Sequence, residues 1–263
     1  MTYDVVIPAG GTVAGEFERV IGTNCRAFLK LPNGLALINN TVNVLRADPR
    51  IGTIHVVAEK FNVFDHGANH VVRHNPTASG ARNVLLGLSQ CSPLVQAVVC
   101  ASDLPLIQPA HVTRFLDQVD LDADVAVGLI NQKQFESRFN QAPPSTFVSL
   151  RDVGPVTLSG LFVVRPQTIM RNERTVQKFF DARKSQLGSA MLLGPDLCFR
   201  WILQKLTSTD LSTRAASLLE ARIQIVPGAD PELAYDIDEL ADYEFAMREF
   251  DDVMKGANDT SLR

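Results

Sequence analysis

The chain has 263 residues, 46% of them hydrophobic and 21% charged, the make-up of a globular protein with room for one large α/β domain. A net charge of −4 without a basic block gives a nucleic-acid partner no electrostatic support, and no apolar run reaches the roughly 18 residues needed to cross a bilayer. The start, Met1-Thr2-Tyr3-Asp4 running into Val5-Val6-Ile7, reads as a strand without a secretion leader, and the scattered Cys25, Cys91, Cys100 and Cys198 form no metal clip or disulfide framework, so a cytoplasmic setting is expected.

Along the chain, short β-branched runs alternate with helical patterns, which predicts βαβ units and a mostly parallel sheet. Val5–Pro8 is the first strand and ends in Ala9-Gly10-Gly11. A loop follows over Thr12–Thr23, then a helix over Asn40–Asp48, a strand over Thr53–Ala58 and a short strand over Val71–His74. Gly80–Cys91 has Val84, Leu85 and Leu88 on one helical face, and Val95–Ala101 is a continuous apolar run, as in a strand buried on both faces. Ala110–Val119 reads as a helix and Asp124–Ile130 as a strand; the pattern then breaks over Gln132–Pro144, which predicts a long surface loop.

Thr146–Leu150 and Thr157–Arg165 read as strands of a smaller, antiparallel extension. Helices are expected over Pro166–Asn172, Thr175–Ser185, Asp196–Leu206 and Asp210–Ala221. Arg222–Pro227 and Leu233–Ile237 return to strand character, Glu239–Met254 is an amphipathic helix, and Gly256–Arg263 reads as a frayed tail. The expected organisation is one domain over residues 1–255, its core formed by 1–130 and 222–255 and a substrate lobe by 131–221.

Three constellations could carry chemistry. Pro8-Ala9-Gly10-Gly11 follows a strand, where glycines let backbone N–H groups approach phosphates; a plain tight turn has the same pattern. It is no Walker loop, lacking G-K-[ST], and Gly15 and Gly22 stand at the wrong offsets for a dinucleotide fingerprint. Ser102-Asp103-Leu104-Pro105 puts a carboxylate at the carboxyl end of the most apolar strand, where open α/β sheets bind ligands and where Asp103 could hold Mg²⁺. In Tyr235-Asp236-Ile237-Asp238, strand alternation would send Asp236 and Asp238 to one side as metal ligands. Asp238 also stands where a helix N-cap should be, and Asp242 reads as a solvated helix residue.

Together these pieces resemble the MobA-like nucleotidyltransferases. The family opens on a strand and L-A-G-G, carries a G-D-[LM]-P metal motif and closes on D-[IV]-D-x-P-E-D-L, matched here by Ala9-Gly10-Gly11, Ser102-Asp103-Leu104-Pro105 and Asp236-Ile237-Asp238. Ala81-Arg82-Asn83-Val84 is similar to the family helix whose polar residue approaches the base, which carries Asn83 into the site. Thr146–Asp152 and Thr157–Val164 resemble a run in an uncharacterised branch. The family lysine has two counterparts: Arg26, in the register that aligns the apolar residues, or Lys30.

The resemblance implies a Rossmann-like three-layer fold of the nucleotide-diphospho-sugar transferase type, with Mg²⁺ or Mn²⁺ as cofactor. It implies transfer of a nucleoside monophosphate from a nucleoside triphosphate to a small-molecule acceptor. Arg26, Lys30 and Asp103 would be catalytic, Ala9, Gly10, Gly11, Asn83 and Ser102 would bind nucleotide, and Asp103, Asp236 and Asp238 would bind metal. A catalytically weakened nucleotide-binding protein, or a glycosyltransferase on the same sheet, are the alternatives. A homo-oligomer is compatible with the sequence.

Overall fold

The computed structural model describes residues 2–59, 70–182, 192 and 194–260, the last ten as backbone alone. The strands are β1 (Tyr3–Pro8), β2 (Ile51–Val57), β3 (Val71–His74), β4 (Ala97–Cys100), β5 (Val125–Asn131), β6 (Val148–Leu150), β7 (Gly154–Val164) and β8 (Ile223–Pro227). They form one mixed α/β sheet in the order β3-β2-β1-β4-β7-β5-β8, with β6 paired to β7. Neighbours are parallel except where β7 meets β4, β5 and β6.

Helices α1 (Gly15–Ile21), α2 (Leu37–Arg46), α3 (Gly80–Leu88), α4 (Pro109–Asp117) and α5 (Gln132–Arg138) come from the first half of the chain. Then follow α6 (Pro166–Arg171), α7 (Glu173–Ala182), α8 (Pro195–Ile202), α9 (Ser208–Leu219) and α10 (Leu240–Thr260). Their starts are written in the sequence. Ser79 accepts the Arg82 N–H at 3.4 Å ahead of α3, and Pro109 fills the first turn of α4. Thr207 and Asp210 cap α9 reciprocally.

The sheet buries both faces. Val5, Ile7, Ile54, Val56 and Val98 pack on one side with α2 and α4, while Val6, Ala97 and Val99 pack on the other with Val84, Leu85 and Leu88 of α3. Helix α3 comes so close to β1 that a Cβ on Gly87 would lie 2.2 Å from Val6 Cγ1. That approach is open only to glycine, and it brings the front of α3 onto the turn that ends β1.

Several expectations are corrected. Thr157–Arg165 is not part of a separate extension: as β7 it runs down the middle of the main sheet, between β4 and β5. The loop expected over Gln132–Pro144 begins as α5, capped by the Asn131 side chain on the Lys133 N–H at 2.9 Å and anchored by buried Phe135. The loop over Thr12–Thr23 contains α1, held by buried Phe17. Leu233–Ile237 is no strand; Pro231–Leu233 is a 3-10 turn, and Ile237 donates its N–H to the Asp103 carbonyl, past the end of β4, at 3.1 Å. Helix α10 continues through the expected frayed tail to Thr260, while residues 261–263 and 183–185 of the expected α7 lie outside the described residues.

Candidate active site

The site is assembled at the carboxyl ends of β1 and β4, which are parallel neighbours. Strand β1 delivers Ala9-Gly10-Gly11; Ala9 is buried and its N–H is held by the Val57 carbonyl at 2.9 Å. A Cβ on Gly10 would stand 2.8 Å from Asn83 Nδ2, so this turn position needs glycine for contact rather than for φ. Asn83, 2% exposed, takes the Thr77 N–H at 2.6 Å and the Thr77 hydroxyl at 2.9 Å on its Oδ1. Its carbonyl is thus occupied within the protein, and its amide faces the glycine turn.

After the turn the chain passes through α1 and comes back alongside itself. Val13 N–H bonds the Asn24 carbonyl at 3.0 Å and Arg26 N–H bonds the Gly11 carbonyl at 3.0 Å. This antiparallel return sets Arg26 beside Gly11, and its Nη1 donates to Asp103 Oδ2 at 2.9 Å and Asp238 Oδ1 at 2.7 Å. The Arg26 and Asp103 side chains are each 18% exposed, whereas Asp238 is 66% exposed. Arg26 Nε is buried and bonds nothing, although it faces Gly11.

Asp236 and Asp238 are held against Asp103 by the Ile237-to-Asp103 backbone bond. Asp238 does not cap α10. Asp242 does so instead, its Oδ2 accepting the N–H groups of Asp238 at 3.0 Å and Glu239 at 2.8 Å, which leaves the Asp238 carboxylate to Arg26. Asp242 is therefore no idle solvated residue.

Charge is unevenly met. Burial works against the guanidinium of Arg26, yet the carboxylates of Asp103 and Asp238 more than offset it, and its pKa is raised. Burial raises the Asp103 carboxyl despite Arg26. Asp236 is exposed at the surface yet surrounded by protein on its other sides; that desolvation, with the charges of Asp103 and Asp238, pushes it up to about 7. Asp103 and Asp238 thus share the Arg26 guanidinium, with Asp236 beside them and paired with no cation among the described residues. The oxygens are hard donors with surplus negative charge, but among the described residues these three carboxylates do not gather within 4.8 Å of one another, so Mg²⁺ or Mn²⁺ would have to draw them together.

Lys30 is placed apart from this group. It is exposed, its backbone bridges Ala36, its carbonyl takes the Tyr243 hydroxyl at 2.8 Å, and among the described residues it pairs with none of the three carboxylates. Ser102 is buried beside Asp103. Sequence reasoning missed Thr77, which fixes Asn83, and the capping role of Asp242; a carboxylate three residues into a helix was the available signal for the second.

The comparisons with known proteins agree with this architecture. A family model described as a MobA-like NTP transferase domain matches residues 5–224. A hypothetical transferase from Thermus thermophilus superposes with a TM-score of 0.78 at 21% identity, covering 92% of this chain and 99% of that one. The 2-C-methyl-D-erythritol 4-phosphate cytidylyltransferase from the same organism gives 0.53 at 16% identity over 95% and 99%. A CMP:2-keto-3-deoxy-manno-octonic acid synthetase complexed with CTP gives 0.57 at 13% identity over 96% and 99%. At these identities the likeness is one of fold. No curated protein matches the sequence.

Proposed function

Because the chain belongs to the MobA-like NTP transferase family, we propose that it transfers a nucleoside monophosphate from a nucleoside triphosphate to a small-molecule acceptor. An acceptor phosphate or hydroxyl oxygen forms a bond to the α-phosphorus. The bond from that phosphorus to the bridging oxygen breaks, and pyrophosphate leaves with the electron pair; a hydroxyl acceptor gives its proton to solvent.

Chemistry of this kind relies on positioning and on stabilising spreading negative charge. The N–H groups of Gly10 and Gly11 cradle the triphosphate, while the N–H of Ala9 stays with the Val57 carbonyl and anchors their turn, which Asn83 stiffens. Arg26 meets phosphate charge with its rigid fork, beside the glycines. Asp103, with Asp236 and Asp238, would hold Mg²⁺ or Mn²⁺, which supplies charge neutralisation at the phosphates when bound. The acceptor is taken by the parts of 131–221 outside β7, which itself belongs to the main sheet. An open cavity of ≈ 600 Å³ lined by Asn131, Lys133, Gln134, Ser137, Arg138 and Pro231 supports that assignment.

The observation that carries this reading is the buried, unbonded Nε of Arg26 facing Gly11, a donor without an acceptor where a phosphate oxygen is expected. A panel of ATP, GTP, CTP and UTP with and without Mg²⁺ tests it. One nucleotide should raise the melting temperature in a Mg²⁺-dependent way, since a ligand of the native state stabilises by mass action. No shift with any of the four defeats the proposal.

A second reading, a nucleotide-binding regulatory protein without turnover, is favoured by one feature: both carboxylate contacts of Arg26 tie it inward. Binding without pyrophosphate release across an acceptor panel would select it.

A further inference from the structure

Away from the carboxyl edge, one polar cluster, with His55 and Cys91 buried and Asp4 half-buried, is used by nothing above. Asp4 at the start of β1, His55 in the middle of β2 and Cys91 just beyond α3 bring a carboxylate oxygen, a ring nitrogen and a sulfur within 4.8 Å of one another. Asp4 lies four residues before Pro8, so the cluster is about 13 Å down the strand from the end of β1 that leads into the glycine turn. His55 is 6% exposed and Cys91 8%, the one in β2 and the other just past α3 among apolar core residues. The geometry points to a zinc site, with Asp4, His55 and Cys91 as ligands and a solvent molecule in the fourth position.

The donor set selects the ion. Sulfur, nitrogen and oxygen together suit borderline-soft Zn²⁺ and disfavour Mg²⁺. Bond lengths near 2.0–2.3 Å put tetrahedral ligand atoms about 3.3–3.8 Å apart, so the three atoms need to close by about 1.5 Å at most. Each ligand is already oriented. Asp4 Oδ1 accepts the Thr53 N–H at 3.2 Å and leaves its other oxygen available. His55 Nδ1 lies 3.0 Å from His74 Nε2; with that contact made, Nε2 of His55 remains for the metal and His74 fixes its tautomer. Cys91 Sγ donates to the Gly87 carbonyl at 3.5 Å, which sets the rotamer of the thiol.

Charge balance points the same way. One carboxylate, one thiolate and Zn²⁺ sum to zero around two neutral imidazoles, so the filled site adds no net charge to a buried place. On coordination the sulfur–metal bond forms and the thiol proton leaves to solvent. A second gathering, His111, Asp230 and Glu232, contrasts with this one. There Arg138 meets Glu232 at 2.6 Å and Arg114 forks onto Asp230, so cations are already in place. Among the described residues, no lysine or arginine pairs with Asp4.

Zinc here would tie β1, β2 and the end of α3 together, with β3 alongside through His74, and so brace the frame that carries the glycine turn. The test is a Co²⁺ titration of the metal-stripped full chain, followed by Zn²⁺ displacement. A thiolate-to-Co²⁺ charge-transfer band with tetrahedral ligand-field bands should saturate at one equivalent and vanish on adding Zn²⁺. Both should be lost in Cys91→Ser and His55→Gln, retained in Asp103→Asn, and unmoved by excess Mg²⁺. Retention in Asp103→Asn separates this site from the catalytic reading. Absence of the thiolate band in wild type overturns the proposal whether or not the variants fold, and so does a band that survives in folded Cys91→Ser.

Discussion

Replacing Arg26 by alanine removes the single guanidinium that Asp103 and Asp238 share. The two arms differ in weight. The Asp238 arm lies largely in water and contributes at most about 1 kcal/mol. The Asp103 arm is shielded, and removing one partner of a buried pair costs about 3–5 kcal/mol; with both side chains still 18% exposed, the lower end applies. Alanine also removes a buried N–H that bonds nothing, a penalty of about 1–3 kcal/mol in the wild type. The balance is a loss of about 2 kcal/mol near neutral pH. Protonation of the freed carboxyls relieves them, so the deficit should shrink toward about pH 4. Urea unfolding of the ligand-free protein at both pH values measures this. Equal stability near neutrality, or a deficit that grows on acidification, would refute the electrostatic reasoning.

Asp236 gives a pH signature of its own. Its folded carboxyl sits near 7 against an ordinary value of about 3.9, so the folded state binds the extra proton. The stability it contributes is fully present below about pH 4 and is lost as pH rises to about 7. Asp236→Asn should flatten that slope and melt higher than wild type near neutrality; an unchanged melting profile would show that Asp236 does not titrate so. Gly87→Ala drives a methyl against Val6 and should cost about 1–3 kcal/mol in urea unfolding, whereas a neutral effect would deny the close α3–β1 contact. Nucleotide titration calorimetry should show Arg26→Ala weakening triphosphate binding more than Lys30→Ala does, and the reverse order would return the role to Lys30.

What was legible in the sequence was what local pattern encodes. The run ending at Cys100 is buried at every position, so it reads as a central strand, and the carboxylate past its end falls in the crevice by the geometry of parallel sheets. Strand β7 was legible as a strand but not in its place. Nothing in Gly154–Val164 states that it pairs antiparallel with both β4 and β5, since pairing partners are set by the whole sheet; even Ser159 is buried there to bond the Gly128 N–H. Helix α5 hid because Phe135 is its one buried residue, too little for an apolar stripe. The alternation in Leu233–Ile237 imitated a strand because Leu233, Tyr235 and Ile237 are core residues of an irregular segment. The role of Arg26 needed the return of the chain at Thr12 and Cys25, a bridge across a helix that local sequence does not announce.

The most direct test of the active-site account is Mn²⁺ binding followed by electron paramagnetic resonance, with nucleoside triphosphate present, in wild type and Asp103→Asn. The wild type should bind Mn²⁺ far more tightly with the nucleotide than without it, and the variant should lose that gain while keeping its circular dichroism. Equal Mn²⁺ affinity in the two proteins would contradict a carboxylate-held cation at the end of β4.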